Sequence, residues 1–168
     1  MSVQRLHPAD SRWPEFVDHL RRMNMARWVL DAQNHLKPDL YCLAALADDQ
    51  IAGHLTMKRQ PLVTPATAWS GNRSTALTGP DGSPLLEMFV LTFGVEEALR
   101  RRGFGRALQL AAIELARGEG CYQLRSWSSQ DKPANYALKI SLGFAVHPAI
   151  ETTLDGTKIS GVYFVRTV

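Results

Sequence analysis

Hydrophobic residues recur along this chain with a helical period in some segments and with a strand-like pattern in others. The stripe of Trp13, Phe16, Val17 and Leu20, preceded by Ser11 as a candidate N-cap, is typical of an amphipathic helix. The run LLEMFVLTFGV is apolar on both alternating faces, as in a central strand that is covered on both sides. Along the whole chain, these patterns predict the order β-α-α-β-β-β-α-β-α-β-β.

The predicted order describes one α/β domain over residues 1–168, with a mixed central sheet of about six to seven strands and flanking helices. A strand at 85–95, a helix at 104–118 and a strand at 121–129 imply parallel neighbouring strands, because such crossovers join parallel strands. Residues 61–83, rich in Pro, Gly, Ser and Thr, form a long connection with a short strand near Thr67 to Trp69. The other predicted strands lie at 3–6, 40–46 and 51–58 and in a hairpin over 149–166 that turns at Asp155-Gly156, and the other predicted helices lie at 26–36 and 133–142.

Composition and charge exclude several classes of protein. The net charge is +3, and no window approaches about 18 consecutive apolar residues, so a membrane span is not expected. The N-terminal residues lack an apolar signal-peptide core, which favours the cytoplasm. Acids are spread among the basic residues, which argues against a nucleic-acid-binding protein. Cys42 and Cys121 lack metal-type spacing and are expected to be buried hydrophobes, and none of the five histidines is expected to bind a metal.

The segment ALRRRGFGRAL, residues 98–108, gathers four arginines around two closely spaced glycines. It lies between a buried strand and an amphipathic helix, where the first helical N–H groups have no intrahelical partner and the helix dipole is positive. Gly103 and Gly105 keep side chains away from these N–H groups and can adopt positive φ. The turn therefore predicts a site for phosphate or another small anion. Its arginines are Arg100, Arg101, Arg102 and Arg106.

Two common phosphate-binding motifs do not fit this turn. A Walker A loop requires a Gly-Lys pair, which the chain lacks. A dinucleotide-binding fingerprint requires a third small residue, where this chain has Leu108. It also requires an acid at the end of the next strand, which CYQLRSWSS does not offer. Both types of nucleotide site are therefore excluded.

The turn and its surroundings resemble the coenzyme A site of the GNAT superfamily of N-acetyltransferases. The family pattern Arg/Gln-x-x-Gly-x-Gly/Ala is matched by RRRGFG, residues 100–105. Val95 lies five residues before Arg100, as the family's strand-end valine does. The segment that ends in Leu142-Gly143-Phe144 is similar to the family's closing helix. The resemblance spans residues 85–144 and implies a GNAT-like fold.

The resemblance implies that acetyl-CoA is the cosubstrate and that it lies between two parallel strands that separate. Its pyrophosphate is expected on the turn and its pantetheine arm along strand 85–95, where Gly94 is expected to form a bulge at which pairing ends. Backbone groups of Phe93 and Val95 would bond the pantetheine amides, a backbone N–H there would stabilise the oxyanion of the reaction, and both side chains would belong to the core. The expected cofactor-binding residues are Phe93, Gly94, Val95, Arg100, Arg101, Arg102, Gly103, Phe104, Gly105, Arg106 and Asn135.

Three residues are candidates for acid–base catalysis. Glu87 is the only acid in the apolar strand, and burial would raise its pKa toward that of a general base; the alternative is an exposed strand-end carboxylate. The resemblance implies a tyrosine as general acid at the position of Lys139. Lys139 with a pKa lowered by burial, Tyr136 one turn earlier, or water would replace it. Trp127 and Trp69 are expected either in an acceptor pocket or in the core.

The function implied by the resemblance is transfer of an acetyl group from acetyl-CoA to an amine of a small molecule, an amino acid derivative or a peptide, directly within a ternary complex. A non-catalytic acyl-CoA-binding or sensor domain is the alternative, because the family's tyrosine is missing. No metal, nucleic acid or membrane is expected as a partner. A homodimer is compatible with the resemblance, because relatives are often dimers. No pattern in the sequence identifies the acceptor.

Overall fold

The computed structural model describes residues 1–64, 74–152 and 155–168, so the strand predicted near Thr67 to Trp69 lies outside the described residues. The described residues form a seven-stranded sheet with helices in the predicted order. The strands are β1 Ser2–Leu6, β2 Leu40–Ala47, β3 Gln50–Pro61, β4 Leu86–Val95, β5 Gln123–Ser129, β6 Ala145–Thr152 and β7 Lys158–Thr167. The helices are α1 Trp13–Arg22, α2 Ala26–Val29, α3 Phe104–Gly118 and α4 Pro133–Ser141.

The strands lie across the sheet in the order β1-β2-β3-β4-β5-β7-β6. All neighbours are antiparallel except β4 and β5, which are parallel, as the strand–helix–strand pattern predicts. Strands β2 and β3 are joined through Asp48 and Asp49, whose φ angles of 47° and 66° suit a tight hairpin turn. The parallel pair β4–β5 therefore lies near the centre of a mixed sheet.

Helices pack on both faces of the sheet. On the face here called the α3 face, α3 and α4 pack against β2 to β5 and β7, and Leu108 is among the buried side chains. On the opposite face, the α1 face, α1 and α2 cover β2 and β3, and Phe16 is fully buried. Strand β2 serves both cores, because Leu43 enters the first cluster and Cys42 and Ala44 the second. None of the helices in the described ranges is long and apolar enough to cross a membrane.

The structure corrects the first two predicted helices. The N-cap of α1 is Arg12 rather than Ser11, and no side chain caps the helix. The helix predicted over 26–36 ends at Val29. There, the Asp31 carboxylate accepts hydrogen bonds from two later backbone N–H groups and holds the chain in a loop. Local side-chain hydrogen bonding therefore overrides the helical spacing of the apolar residues.

Candidate active site

Strands β4 and β5 pair over their first residues and then separate. Their parallel ladder joins residues 87–90 to residues 123–126 and ends there, whereas β4 continues to Val95 and β5 to Ser129. On its other side, β4 remains paired with β3 as far as Val95. The parallel pair therefore opens into a cleft, here called the split, with a free strand edge on each side.

The bulge predicted at Gly94 lies instead at Leu91, where the register between β3 and β4 shifts by one residue. Gly94 remains paired with His54, so the prediction that pairing ends there is wrong. The glycine is required by packing, because a Cβ built on it would lie 2.9 Å from His54 Cε1 and 2.9 Å from Met23 Cε. The residue thus allows the α1–α2 connection and an imidazole to lie directly on β4.

The backbone of Phe93 and Val95 faces the split. The N–H of Glu96 donates to the Ala52 carbonyl on β3 at 2.9 Å. Because successive residues of a strand direct their backbone groups to opposite sides, those of Val95 and Phe93 point away from β3. Arg100 Nε donates to the Val95 carbonyl at 3.2 Å, and both side chains pack against the core. The orientation agrees with the predicted role in binding pantetheine, which stays a prediction.

Six consecutive backbone N–H groups at the start of α3 are unused. None of the N–H groups of residues 101–106 donates to any described residue, and the first bond of the helix runs from Ala107 N–H to the Gly103 carbonyl at 3.0 Å. Left-handed φ angles at Arg101 (64°) and Gly103 (89°) turn the chain into the helix. Residues 101–106, here called the cradle, therefore combine a helix N-terminus with a left-handed turn and unpaired N–H donors, which suits an anion.

The two glycines of the cradle are required for different reasons. Gly103 has a φ of 89°, and a Cβ built there would meet only the side chain of Met1, at 3.5 Å. Gly105 lies inside the helix without a positive φ, so the expectation of positive φ does not apply to it. A Cβ there would lie 3.3 Å from Phe93 Cζ and 3.5 Å from Leu138 Cδ2. Gly105 therefore allows α3 to approach β4 and α4.

Arginine side chains surround the cradle. The ring of Phe104, beside the cradle, is buried. Arg106 Nη1 donates to Ser141 Oγ on α4 at 3.4 Å. The Arg102 guanidinium lies 5.9 Å from the centroid of the Phe104 ring. Because Phe104 belongs to the core, only its backbone N–H is available to the cradle. The exposed arginines are Arg100, Arg101, Arg102 and Arg106.

Lys139 is buried at the closed end of the split. Its Nζ donates to Ser126 Oγ at 2.7 Å, and Ser126 belongs to the last pair between β4 and β5. The residue is 1% exposed, and Nζ lies 4.6 Å from the ring centroid of Phe144 and 5.9 Å from that of Phe164. Burial in these apolar surroundings lowers the pKa of Lys139 to about 7. Lys139 thus has the lowered pKa that was predicted for a proton donor at this position.

Tyr136 and Asn135 contact the free end of β5. Tyr136 Oη donates its one proton to the Ser128 carbonyl at 3.3 Å, and its ring packs edge-on against Phe164. Asn135 Nδ2 donates to Ser128 Oγ at 3.1 Å, whereas its Oδ1 is buried without a hydrogen-bond partner among the described residues. A lysine ammonium has three protons and a tyrosine hydroxyl one. Lys139 therefore retains protons to donate while Tyr136 is engaged.

Glu87 is fully buried, so the alternative of an exposed carboxylate is wrong. Its Oε1 accepts from Gln60 Nε2 at 2.9 Å and Arg125 Nη2 at 2.6 Å. Its Oε2 accepts from Gln123 Nε2 at 2.9 Å and Arg125 Nε at 2.8 Å. A carboxylate has about four lone-pair sites, and all are occupied here. The geometry thus argues against Glu87 as the general base and assigns it to holding β3, β4 and β5 together.

A buried pair of histidines beside β4 was not predicted from the sequence. His19 Nε2 lies 2.9 Å from His54 Nδ1, and His19 Nδ1 lies 3.0 Å from a carboxylate oxygen of Glu96. Both imidazoles are fully buried. Burial lowers the pKa of His54 to about 3, and burial outweighs the nearby Glu96 carboxylate to lower the pKa of His19. The sequence held one signal, that both histidines lie in segments rich in apolar residues.

We expect acid to destabilise the protein through this pair. The unfolded state binds protons on His54 near pH 6.5, while the folded state binds them only near pH 3. The stability that the folded protein gains by keeping His54 neutral is therefore fully present above about pH 6.5 and is lost as the pH falls. We expect His54 alone to lower the free energy of unfolding by about 2 kcal/mol between pH 7.5 and pH 5. Urea unfolding at the two pH values is the measurement. The variant His54→Gln should lose this pH dependence and the exposed control His147→Gln should keep it; equal slopes in all three proteins would contradict the expectation.

Trp127 lies on the α1 face of β5, beyond the last pair with β4. Its indole covers Gly161, where a Cβ would lie 2.8 Å from the ring, and its Nε1 is buried without a partner among the described residues. The structure thus packs Trp127 against β7 beside the split. Trp69 lies outside the described residues. In the parts of the chain that the structure describes, no three His, Cys, Asp or Glu side chains are arranged to hold a metal ion.

Comparison with known proteins identifies the family from the sequence and related folds from the structure. The model of the Acetyltransferase (GNAT) family matches residues 4–144. No curated protein matches the chain. Among solved structures, Arabidopsis thaliana NAA60 in complex with acetyl-CoA is similar with a TM-score of 0.68 and 16% identity, over 99% of this chain and 98% of that one.

Two bacterial structures share the fold. The ribosomal-protein-S18-alanine N-acetyltransferase of Escherichia coli has a TM-score of 0.62 and 16% identity, over 99% of this chain and 93% of that one. An acetyltransferase of Bacillus subtilis in complex with CoA has a TM-score of 0.57 and 15% identity, over 99% and 97%. At such identities the likeness shows the fold alone.

Proposed function

Because the chain belongs to the acetyltransferase (GNAT) family, we propose that it transfers the acetyl group of acetyl-CoA directly to an amine of a small molecule, an amino acid derivative or a peptide. The observation that carries this proposal is the cradle of unused N–H groups beside the split. The N–H groups of residues 103–106 lack intrahelical partners, as at the start of any helix, and those of Arg101 and Arg102 add two more unpaired donors just before it. An anionic ligand satisfies them.

The residues present fit acetyl-CoA. Its pyrophosphate is assigned to the N–H groups of residues 101–106 and to the arginines around them. Its pantetheine arm is assigned to the outward backbone groups of Phe93 and Val95. The buried Oδ1 of Asn135 lacks a donor among the described residues and would accept a hydrogen bond from an amide of the arm. A buried acceptor such as Asn135 Oδ1 is costly to leave unsatisfied, so a donor from the ligand would stabilise this arrangement.

Lys139 is proposed as the general acid. Acetyl-CoA supplies an activated acyl group, and when the amine takes up that group the CoA sulfur leaves as a thiolate that needs a proton. Nζ of Lys139 lies at the closed end of the split, hydrogen-bonded to Ser126. With a pKa of about 7, it is protonated in roughly half of the molecules at neutral pH and is a stronger acid than an exposed lysine. As the C–N bond forms and the C–S bond breaks, the proton passes from Nζ to sulfur, the amine nitrogen loses one proton to solvent, and Nζ regains a proton from solvent.

The test is to incubate the protein with acetyl-CoA and a broad panel of amines. Free thiol and the mass of each acetylated amine are measured together. We expect at least one amine to gain an acetyl group, with one thiol released per product. Tight CoA binding without acetylation of any amine, and with only slow thiol release, would contradict the proposal and favour the sensor domain. CoA-independent binding to nucleic acid would contradict both.

A further inference from the structure

A second set of polar and aromatic groups lies on the α1 face, directly across the sheet from Lys139. Ser126 points to the α3 face, where it meets Lys139, so its neighbours Arg125 and Trp127 point to the α1 face. Phe89 pairs with Arg125 across β4 and β5, and its neighbours Met88 and Val90 enter the core of the α3 face. Phe89, Arg125 and Trp127, here called the α1-face set, therefore border the last pair before the split, on the side of the sheet opposite α3.

Arg125 is held in one orientation by contacts on several sides. Its Nε and Nη2 form two parallel hydrogen bonds to the Glu87 carboxylate, at 2.8 Å and 2.6 Å. Its guanidinium lies 5.0 Å from the ring centroid of Phe89 and 4.9 Å from that of Tyr163. Gln60 and Gln123 fix Glu87 in turn. The guanidinium is thus oriented before any ligand binds, which reduces the entropy lost on binding.

One edge of this guanidinium remains free. Nη1 donates to no described residue, and the Arg125 side chain is 25% exposed, whereas that of Glu87 is 1% exposed. Because the guanidinium is planar and the Nε–Nη2 edge faces Glu87, the edge formed by Nη1 and the second proton of Nη2 points away from Glu87. A fixed pair of N–H donors of this kind matches the two oxygens of a carboxylate.

The aromatic rings and the Glu87 carboxylate beside Arg125 are already engaged. The rings of Phe89 and Tyr163 face the Arg125 guanidinium, so these contacts are not open to a second cation. Tyr163 Oη donates to Glu151. Both oxygens of Glu87 are fully used by its donors. The unused charged donor of the α1-face set is therefore Nη1 of Arg125, which favours an anionic rather than a cationic group on the ligand.

We infer that Arg125 binds a carboxylate of the acceptor, so that the preferred substrates are amines that carry a carboxylate, such as amino acids and short peptides with a free carboxyl group. The inference rests on the proposed function, because it assigns the α1 face of the split to the acceptor. The cosubstrate lies toward the cradle, and the acceptor approaches the last pair of β4 and β5 from the opposite face. Arg125 fixes one end of the acceptor and leaves its amine free.

The test compares matched acceptors on the unmodified protein. Amino acids and glycyl dipeptides are each assayed beside their C-terminal carboxamides, with spermidine as a cationic amine. We expect kcat/KM for the carboxylates to exceed that for the carboxamides by about 10- to 100-fold. Calorimetry on protein saturated with CoA, where no transfer occurs, should show the same preference in Kd. Equal values for carboxylate and carboxamide, or a preference for spermidine, would overturn the inference and leave the acetyltransferase proposal intact.

A double variant then tests whether the preference for carboxylates depends on Arg125. Arg125→Gln alone leaves the Glu87 carboxylate buried without its cation, so the variant to use is the double substitution Glu87→Gln and Arg125→Gln. We expect it to lose the preference for carboxylates while the Kd for CoA changes less than about twofold. If the double variant does not fold, the matched acceptors decide alone. Should acetylation fail for every amine, calorimetry still tests the inference, and equal Kd values there overturn it.

Discussion

Lys139→Met lowers kcat about 100- to 1000-fold, and the Kd for CoA stays within about twofold of the wild-type value. The loss is expected in kcat because the proton from Nζ is needed when the thiolate leaves, not when CoA binds. Methionine has a similar length and suits the apolar surroundings formed by Phe144 and Phe164. The measurement is steady-state transfer to the best acceptor of the amine panel, with calorimetry for CoA.

The pH profile separates a proton donor from a residue that only packs. Burial lowers the pKa of Lys139 to about 7, and only the protonated form donates. Wild-type kcat should therefore fall as the pH rises through about 7, and the variant should lack this fall. Lys139→Arg keeps a charge but holds its proton too tightly to act as an acid, so it should not restore kcat.

The control for this position is Lys132→Met, at a lysine whose side chain is 59% exposed just before α4. It should leave kcat and its pH profile unchanged. Lys139→Met should also be at least as stable as the wild type at neutral pH and below, because it removes a charge from an apolar interior. A stable Lys139→Met protein with wild-type kcat would show that Lys139 is not the acid, and water would then be the proton source.

Arg106→Pro weakens CoA binding at least tenfold more than Arg106→Ala does. Both substitutions remove the same guanidinium, but only proline also removes a backbone N–H of the cradle. Arg106 is the third residue of α3 and its N–H has no partner among the described residues, so proline costs the helix no hydrogen bond. The factor of ten corresponds to about 1.4 kcal/mol, within the range of a hydrogen bond to a charged group.

Calorimetry with CoA measures both variants, and circular dichroism checks that α3 is intact in each. The comparison is matched because the two proteins differ only in the backbone donor and the proline ring. Identical Kd values for Arg106→Pro and Arg106→Ala, with α3 folded, would mean that the pyrophosphate does not lie on these N–H groups. The turn would then be a connection, and the assignment of the cradle would fail.

The parts of the site that could be predicted are those that depend on residues close together in the sequence. The spacing of Arg100, Gly103 and Gly105 between an apolar strand and an amphipathic helix was enough to predict the anion site. The apolar run of β4 and the helix after it were enough to predict the parallel pair with β5, which is confirmed. In each case the structure depends on neighbours along the chain, which the sequence displays directly.

Other features depend on groups brought together from distant segments. The sequence left the burial of Glu87 open, because the donors that satisfy it come from Gln60 on β3 and from Gln123 and Arg125 on β5. The bulge was placed at Gly94 because glycine is rare in strands, whereas packing against His54 and Met23 is what requires that glycine. Neither contact leaves a local pattern.

The sequence by itself determined the order of elements and the parallel pair at the centre of the sheet, and it predicted the anion site at the turn, because hydrophobic period and turn chemistry are local. The tertiary structure decided which polar side chains are buried and therefore what they can do. It made Lys139 a group with a pKa of about 7, occupied every lone-pair site of Glu87, and left one edge of Arg125 free. Desolvation and hydrogen-bond partners set these properties, and both depend on residues that meet only when the chain is folded.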